Sequence, residues 1–174
     1  GSSMYLKVGY RLTLRDLAVG MMTVSGNDAA NAAALSLAGS YSAFADIMNS
    51  KAYEIGMYNS HFVTPSGLDD SEHFSTAYDM AVLMSFAMKN DDFAEITKQK
   101  SISVNFSEPE NFKATYYNHN KLLSMYEFAT GGKTGYTKKA GRCLVSCAEK
   151  DGLRLVAVTL DDHNDWEDHI NLYE

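Results

Sequence analysis

An α+β domain, an antiparallel sheet packed with helices, is predicted by three observations on this chain of 174 residues. Apolar residues recur at helical spacing through the first half. The period then shortens from roughly 3.6 to 2. Between the last two apolar runs sits Asp151-Gly152, the dipeptide that a tight hairpin demands. The switch falls near residue 98, which gives a helical part of about 11–98 and a sheet part of about 99–174. Together they make most of one domain over residues 1–174.

In order, a short extended start leads into LTLRDLAVGMMTV, whose apolar spacing predicts a helix running into Ser25. NDAANAAALSLAG opens with cap-forming residues and stops at a glycine, so a second helix is expected over Asp28–Ala38. A third, Ser40–Ile55, lies between a serine cap and Gly56. NSHFVTPSGLDDSEHF has glycine and proline turns and no sustained period, and reads as a loop. Thr76 caps the next helix, with Asp79 three residues on as in a capping box, and the apolar pattern continues to about Met88. Downstream, KSISVNF, FKATYYN, GRCLVSCAEK and LRLVAVTL have strand character, as does the run holding Lys133, and together they suggest an antiparallel meander. DDHNDWEDHINLYE starts with acidic residues suited to a helix N-terminus.

Composition narrows the function. With 45% hydrophobic residues and only two prolines, the chain can bury a sizeable core and has no disordered stretch by composition. A net charge of -7 argues against nucleic acid, which needs a basic face. No apolar run approaches the roughly 18 residues of a membrane span, and no charged-then-apolar leader opens the chain, so a soluble segment is expected. Cys143 and Cys147, four apart on one strand, share a face but lie more than about 12 Å apart, too far for a mutual disulfide. Both are expected as buried small hydrophobes, and two cysteines alone offer too few ligands for a metal.

Two triplets carry the chemistry: Ser25-Gly26-Asn27, and Lys133-Thr134-Gly135 on a predicted strand. Singly, the first reads equally as a helix cap and the second as a strand end. In this order, and within RDLAVGMMTVSGNDAANA, GMYNSHFVTPSGLDD, HFSTAYDMAVL and TGGKTGYTKKAGRCLVSCAEKDGLRLVAVTL, they resemble the serine-type D-alanyl-D-alanine carboxypeptidases, the low-molecular-weight penicillin-binding proteins. The resemblance extends across essentially the whole chain and implies a β-lactamase/DD-peptidase-like fold.

Hydrolysis through a serine needs a proton acceptor, donors around the developing oxyanion, and a cation for the substrate's terminal carboxylate. By resemblance, Ser25 relays a proton toward the leaving amine, and Asn27 holds the substrate amide and a neighbouring lysine. Lys133 holds Ser25 and attracts the carboxylate of the terminal D-alanine, to which Thr134 donates its hydroxyl. Gly135, without a Cβ, lets the substrate approach the strand edge, and the backbone amide of Tyr136 forms half of the oxyanion hole. His119 falls where relatives place a residue at the cleft rim; an ordinary loop histidine is the alternative. Arg142 reads as a second carboxylate anchor or as an exposed strand arginine. Asp161, Asp162, His163, Asp165, Asp168 and His169 read as a metal site or, more simply, as the acidic opening of a solvated helix. No metal and no organic cofactor is expected.

The family's third motif, Ser-x-x-Lys, is absent: no serine is followed three residues later by lysine. The resemblance therefore covers roughly the last two-thirds of a catalytic domain, incomplete at the N-terminus, and the chain alone is expected to form no acyl-enzyme. A nicked enzyme with a companion N-terminal segment of the same domain, a deliberate truncation, and a natural remnant that binds without cleaving all fit. Gly1-Ser2-Ser3-Met4 fits both a tag scar and native sequence. The implied partners are that segment, peptidoglycan stem peptides ending in D-Ala-D-Ala, and β-lactams. The implied location is extracytoplasmic, on the outer face of the bacterial cytoplasmic membrane or secreted. A serine β-lactamase is a further alternative, though no segment clearly supplies its water-activating carboxylate. A chain without the N-terminal part is expected to expose a sheet edge and an apolar face, and to self-associate.

Overall fold

The computed structural model describes residues 1–174 and forms every predicted helix, with ends set by local chemistry. Helix α1 (Leu14–Val24) starts at Thr13, whose side chain accepts from the Asp16 N–H while the Asp16 carboxylate accepts from the Thr13 N–H. Helix α2 (Asn27–Ala38) ends at Gly39 and α3 (Tyr41–Ile55) at Gly56, both glycines left-handed. Thr76 caps α4 (Ala77–Ala87) through the Asp79 N–H. The expected capping box forms only half: Asp79 turns its carboxylate to the Asn59 N–H at 2.8 Å and the Ser60 hydroxyl at 2.7 Å, anchoring the preceding loop instead. A fifth helix, α5 (Asp91–Lys98), escaped the periodicity because it is short, although its Asn90 cap and Asp91-Asp92 opening follow the usual rules.

The strands do not form one meander. β1 (Ser101–Asn105) and β2 (Lys113–Tyr117) make a two-stranded sheet, and β3 (Ala129–Thr137), β4 (Gly141–Lys150) and β5 (Leu153–Thr159) make a separate three-stranded one in that order. Between them Asn118 bonds the Thr97 and Gln99 carbonyls at 3.2 and 3.1 Å, and the single turn α6 (Leu122–Met125) redirects the chain. Alternation identifies strands but is silent on which sheet each joins. Asp151 and Gly152 both have positive φ, 52° and 80°, as the two-residue hairpin between β4 and β5 requires.

The first sheet packs on the α1–α2 pair around Met4, Leu17, Val19, Ala29, Val104 and Tyr116. Gly20 of α1 makes room for Met4, since a Cβ there would stand 1.9 Å from the Met4 sulfur. The second sheet lies between α4 and α7 (Asp165–Tyr173). On one face Val145 and Cys147 meet Met84 of α4. On the other, Ser146 meets His169 and Tyr173 of α7 at 2.6 and 2.7 Å. Cys147 is the expected buried hydrophobe, its thiol pushed up to about 12 by burial. Cys143 is not: it is half-buried and borders the main cleft. Strand β5 is the outer edge of its sheet, with Leu153 and Leu155 62% and 39% exposed.

Candidate active site

A cleft of about 750 Å³ opens between the α1–α2 turn and strand β3. On the helical side, Ser25 ends α1 at φ 55° and ψ 40°. That left-handed conformation costs a serine roughly 1–2 kcal/mol. The Gly26 N–H then bonds the Gly20 carbonyl at 3.0 Å, and Asn27 begins α2. The sharp turn puts Ser25 and Asn27 on different helices and on one side of the cleft.

The strand side is prepared by two glycines before Lys133. A Cβ on Gly131 would stand 2.5 Å from the Thr97 hydroxyl of α5. Gly132 has φ +141°, and a Cβ there would stand 2.4 Å from the Val145 carbonyl. Only glycine lets β3 pass this close to α5 and β4. The next residue, Lys133, is thereby aimed across the cleft: its Nζ donates to Ser25 Oγ at 2.5 Å and to the Thr134 carbonyl at 2.5 Å. Lys133 is half-buried, and burial lowers its pKa from 10.5 to about 8. Gly135 is different. A Cβ there would meet Cys143 Cβ at 3.7 Å, an ordinary contact, so internal packing does not require the glycine. Because β3 pairs only with β4, its other edge is left for a second extended chain.

All seven residues read from the sequence as site candidates, Ser25, Asn27, His119, Lys133, Thr134, Gly135 and Tyr136, border this one cleft. His119 is tied by its backbone N–H to the Thr23 carbonyl at 3.0 Å. Burial, and secondarily the charge of Lys133, lowers its pKa, while the residue stays exposed at the rim.

Sequence reasoning missed two parts. The first is the wall formed by Pro65–Leu68, latched to the strand by the Thr137 hydroxyl on Asp69 Oδ1 at 2.8 Å. The loop that carries it is held by Asn49, which bonds the backbone of Phe62 at both ends of its amide, at 2.8 Å each. No periodicity could reveal this, since the bonds come from a distant helix. The second part is what holds Arg142, a residue that the sequence offers as a second carboxylate anchor or an exposed strand arginine; Arg142 lies opposite Tyr136 in the β3–β4 register. It is neither a free surface arginine nor an unsupported anchor. Its Nε and Nη2 both bond Asp165, and the guanidinium lies 5.9 Å from the Trp166 ring centroid. Asp165 has 5% side-chain exposure and Arg142 38%, so the pair is fixed at its acidic end and open toward the cleft at the other. Within the acidic run, Asp165 is thus committed to Arg142, and His169 to Ser146 and Thr159.

Known proteins agree with this geometry. The D-alanyl-D-alanine carboxypeptidase family matches residues 1–164. The chain is similar to the D-alanyl-D-alanine carboxypeptidase DacF of Bacillus subtilis, 35% identical over 158 residues, covering 91% of this chain and 40% of the relative. It is 41% identical over 153 residues to DacB2 of Mycobacterium tuberculosis, covering 87% and 51%. The crystal structure of a D-alanyl-D-alanine carboxypeptidase from Mycobacterium tuberculosis superposes with TM-score 0.89 at 35% identity, over 98% of this chain and 66% of that one. A mutant of a Streptomyces DD-transpeptidase gives 0.93 at 30%, over 99% and 72%. The chain thus spans about half or less of these two curated relatives, 40% and 51%, and its fold is the α+β fold of the DD-peptidases.

Proposed function

Since the chain belongs to the D-alanyl-D-alanine carboxypeptidase family, we propose that its cleft binds the D-Ala-D-Ala end of peptidoglycan stem peptides for removal of the terminal D-alanine. The reaction runs through an acyl-serine: the serine replaces the amide nitrogen at the carbonyl, D-alanine leaves with a proton, and water then hydrolyses the ester. The nucleophile comes from outside these residues, because no Ser-x-x-Lys is present. Residues 1–174 are most of one catalytic domain and are inactive alone.

The observation that carries this reading is the 2.5 Å contact between Lys133 and Ser25. It joins two motifs 108 residues apart into one polar bridge. In this reading the substrate lies antiparallel along the free edge of β3, passing over Gly135. Its terminal carboxylate meets Lys133, the Thr134 hydroxyl and the open side of Arg142, a planar fork suited to carboxylates. The Tyr136 amide donates to the developing oxyanion. Ser25, bonded to a lysine whose pKa is lowered to about 8, passes the proton to the leaving amine. Asn27 holds the substrate amide and His119 touches the substrate at the rim. β-Lactams enter as acylating mimics, and no metal or organic cofactor takes part. No helix is long and apolar enough to cross a membrane; the protein acts at the outer face of the cytoplasmic membrane, where the substrate lies. The lack of a nucleophile also supports a second reading, a cell-wall peptide binder without turnover.

Titration of the chain with a peptide ending in D-Ala-D-Ala, followed by amide NMR shifts, tests the site. Shifts at Ser25–Asn27 and Lys133–Tyr136 are expected with the D,D peptide and not with its L,L isomer. Equal shifts with both, or none at these positions, would contradict the assignment.

A further inference from the structure

Beside Asn27 lies a carboxylate that the reaction scheme leaves unused. Asp28 accepts from the Met4 N–H at 2.8 Å, the Leu6 N–H at 2.9 Å and the Ser3 hydroxyl at 2.7 Å. It also accepts from the Ala29 N–H at 3.0 Å. The Tyr5 N–H between the two captured amides bonds Ser3 Oγ at 2.8 Å. Three consecutive backbone donors thus converge on one acidic group and its serine partner. Convergence is possible because Tyr5 has φ 62°, which turns neighbouring N–H groups toward a common point. A left-handed tyrosine is unfavourable by roughly 1–2 kcal/mol, so something must hold it. The anion bonded by charge-assisted hydrogen bonds at the start of α2 does so. These bonds keep the Asp28 carboxyl below its usual range, against the opposing effect of burial, which is the largest single influence.

The consequence reaches the cleft through one more bond. The captured segment brings the Ser2 carbonyl to the Asn27 N–H at 3.0 Å, and Gly1 and Ser2 border the cleft beside Ser25. Helix α2 has no side-chain cap, its N-cap being Gly26, and the Ser2 carbonyl accepts from its first N–H instead. An independent sign of the close fit is Gly26 itself. A Cβ there would stand 3.1 Å from Asp28 Oδ1 and 3.2 Å from the Met4 nitrogen, tighter than ordinary contacts.

We propose that Asp28 is a positioning residue: by clamping Ser2–Leu6 across the start of α2 it fixes the backbone of Asn27, and with it the helical side of the cleft. The clamp stands on bonds within the chain, and its bearing on turnover rests on the function proposed above. The first arm of the test uses amide hydrogen exchange in the 174-residue chain. Asp28→Asn is expected to speed exchange at Met4, Leu6 and Asn27 by about tenfold or more, as removal of a charge-assisted bond implies, with β4 amides unchanged. Unchanged protection at all three would overturn the clamp. Should Asp28→Asn fail to fold, Ser3→Ala, which removes one donor, decides by the same readout. The second arm measures acylation of the full-length gene product by a fluorescent penicillin. Asp28→Asn is expected to slow it by about tenfold to a hundredfold, the effect of a small misplacement of a reacting group. Val156→Ala, a packing change on β5 that borders neither the cleft nor the clamped segment, supplies a destabilised control that acylates its folded fraction at the wild-type rate. Equal rates for the two variants at matched folded fraction would overturn the positioning role. If the wild type itself is not acylated, the functional reading fails, and the exchange arm still decides the clamp.

Discussion

The strand wall of the cleft takes its geometry from a regular ladder, whereas the helical wall takes it from side chains that reach across the sequence. Lys133 is aimed by the β3–β4 register and by two glycines immediately before it. Ser25 and Asn27 are aimed by a left-handed serine and by Asp28 gripping backbone 22 to 24 residues away. A ladder resists small changes and breaks when backbone spacing is violated. A clamp of individual bonds loosens one bond at a time. The cleft thus joins a rigid wall to an adjustable one.

The sharpest way to break the contrast is at the glycines of β3. Gly132→Ala forces a Cβ against the Val145 carbonyl at a φ that disfavours alanine, and a loss of about 3 kcal/mol or more is expected from urea denaturation. Gly135→Ala, three strand positions later, is expected to stay within about 0.5 kcal/mol of wild type while weakening D-Ala-D-Ala peptide binding. Similar stability losses for both would show that Gly135 is a packing residue.

The Arg142–Asp165 pair tests the outer end of the same wall. Asp165→Ala leaves Arg142 without its buried partner, and a loss of about 1–3 kcal/mol is expected, below the range for fully buried pairs because the arginine is partly exposed. An unchanged denaturation midpoint would mean that the pair is dispensable for the fold.

Next in size is the pH response of Lys133. Its folded pKa of about 8 lies below the ordinary 10.5, so the cation is lost in the folded protein as pH rises through about 8. Affinity for a peptide carboxylate is expected to fall there, by up to about tenfold per pH unit, and calorimetric titration between pH 7 and 9.5 reads it. A flat profile would mean that Lys133 is not the anchor. Stability responds with the opposite sign: the unfolded lysine keeps its proton to higher pH, so stability from this group rises between about 8 and 10.5.

The smallest effect is expected at His169, whose pKa burial lowers. The Ala157 N–H donates to the Tyr173 hydroxyl at 3.2 Å. Ser146 Oγ lies between the Tyr173 hydroxyl at 2.7 Å and His169 Nδ1 at 2.6 Å, and His169 Nε2 lies 3.1 Å from the Thr159 hydroxyl. Burial of the ring in this network favours its neutral form. The stability it contributes is full above the ordinary histidine pKa and is lost as pH falls from there through the folded value. His73 and His119 shift the same way. Comparing wild type with His169→Gln at pH 7.5 and 5.5 isolates the share of His169, and equal pH dependence in both would remove it.

What was legible in the sequence follows the same division. The strands, the hairpin at Asp151-Gly152 and the Lys133 triplet depend on near neighbours, and all formed where expected. The α1–α2 turn was legible because one helical pattern runs into Ser25 and another was expected from Asp28, one residue after the observed start at Asn27. The division into two sheets was not, since alternation does not name a strand's partner. Nor were the Pro65–Leu68 wall, the Arg142–Asp165 pair and the Asp28 clamp, all of which depend on bonds between residues 13 or more apart in sequence.

The measurement closest to the central claim is incubation of the preparation with a fluorescent penicillin, followed by a denaturing gel and the intact mass of every band. The account predicts no label on the 19.2 kDa chain, with any label confined to a companion polypeptide that supplies the serine. A covalent adduct on the chain itself would place a nucleophile within these residues and contradict it.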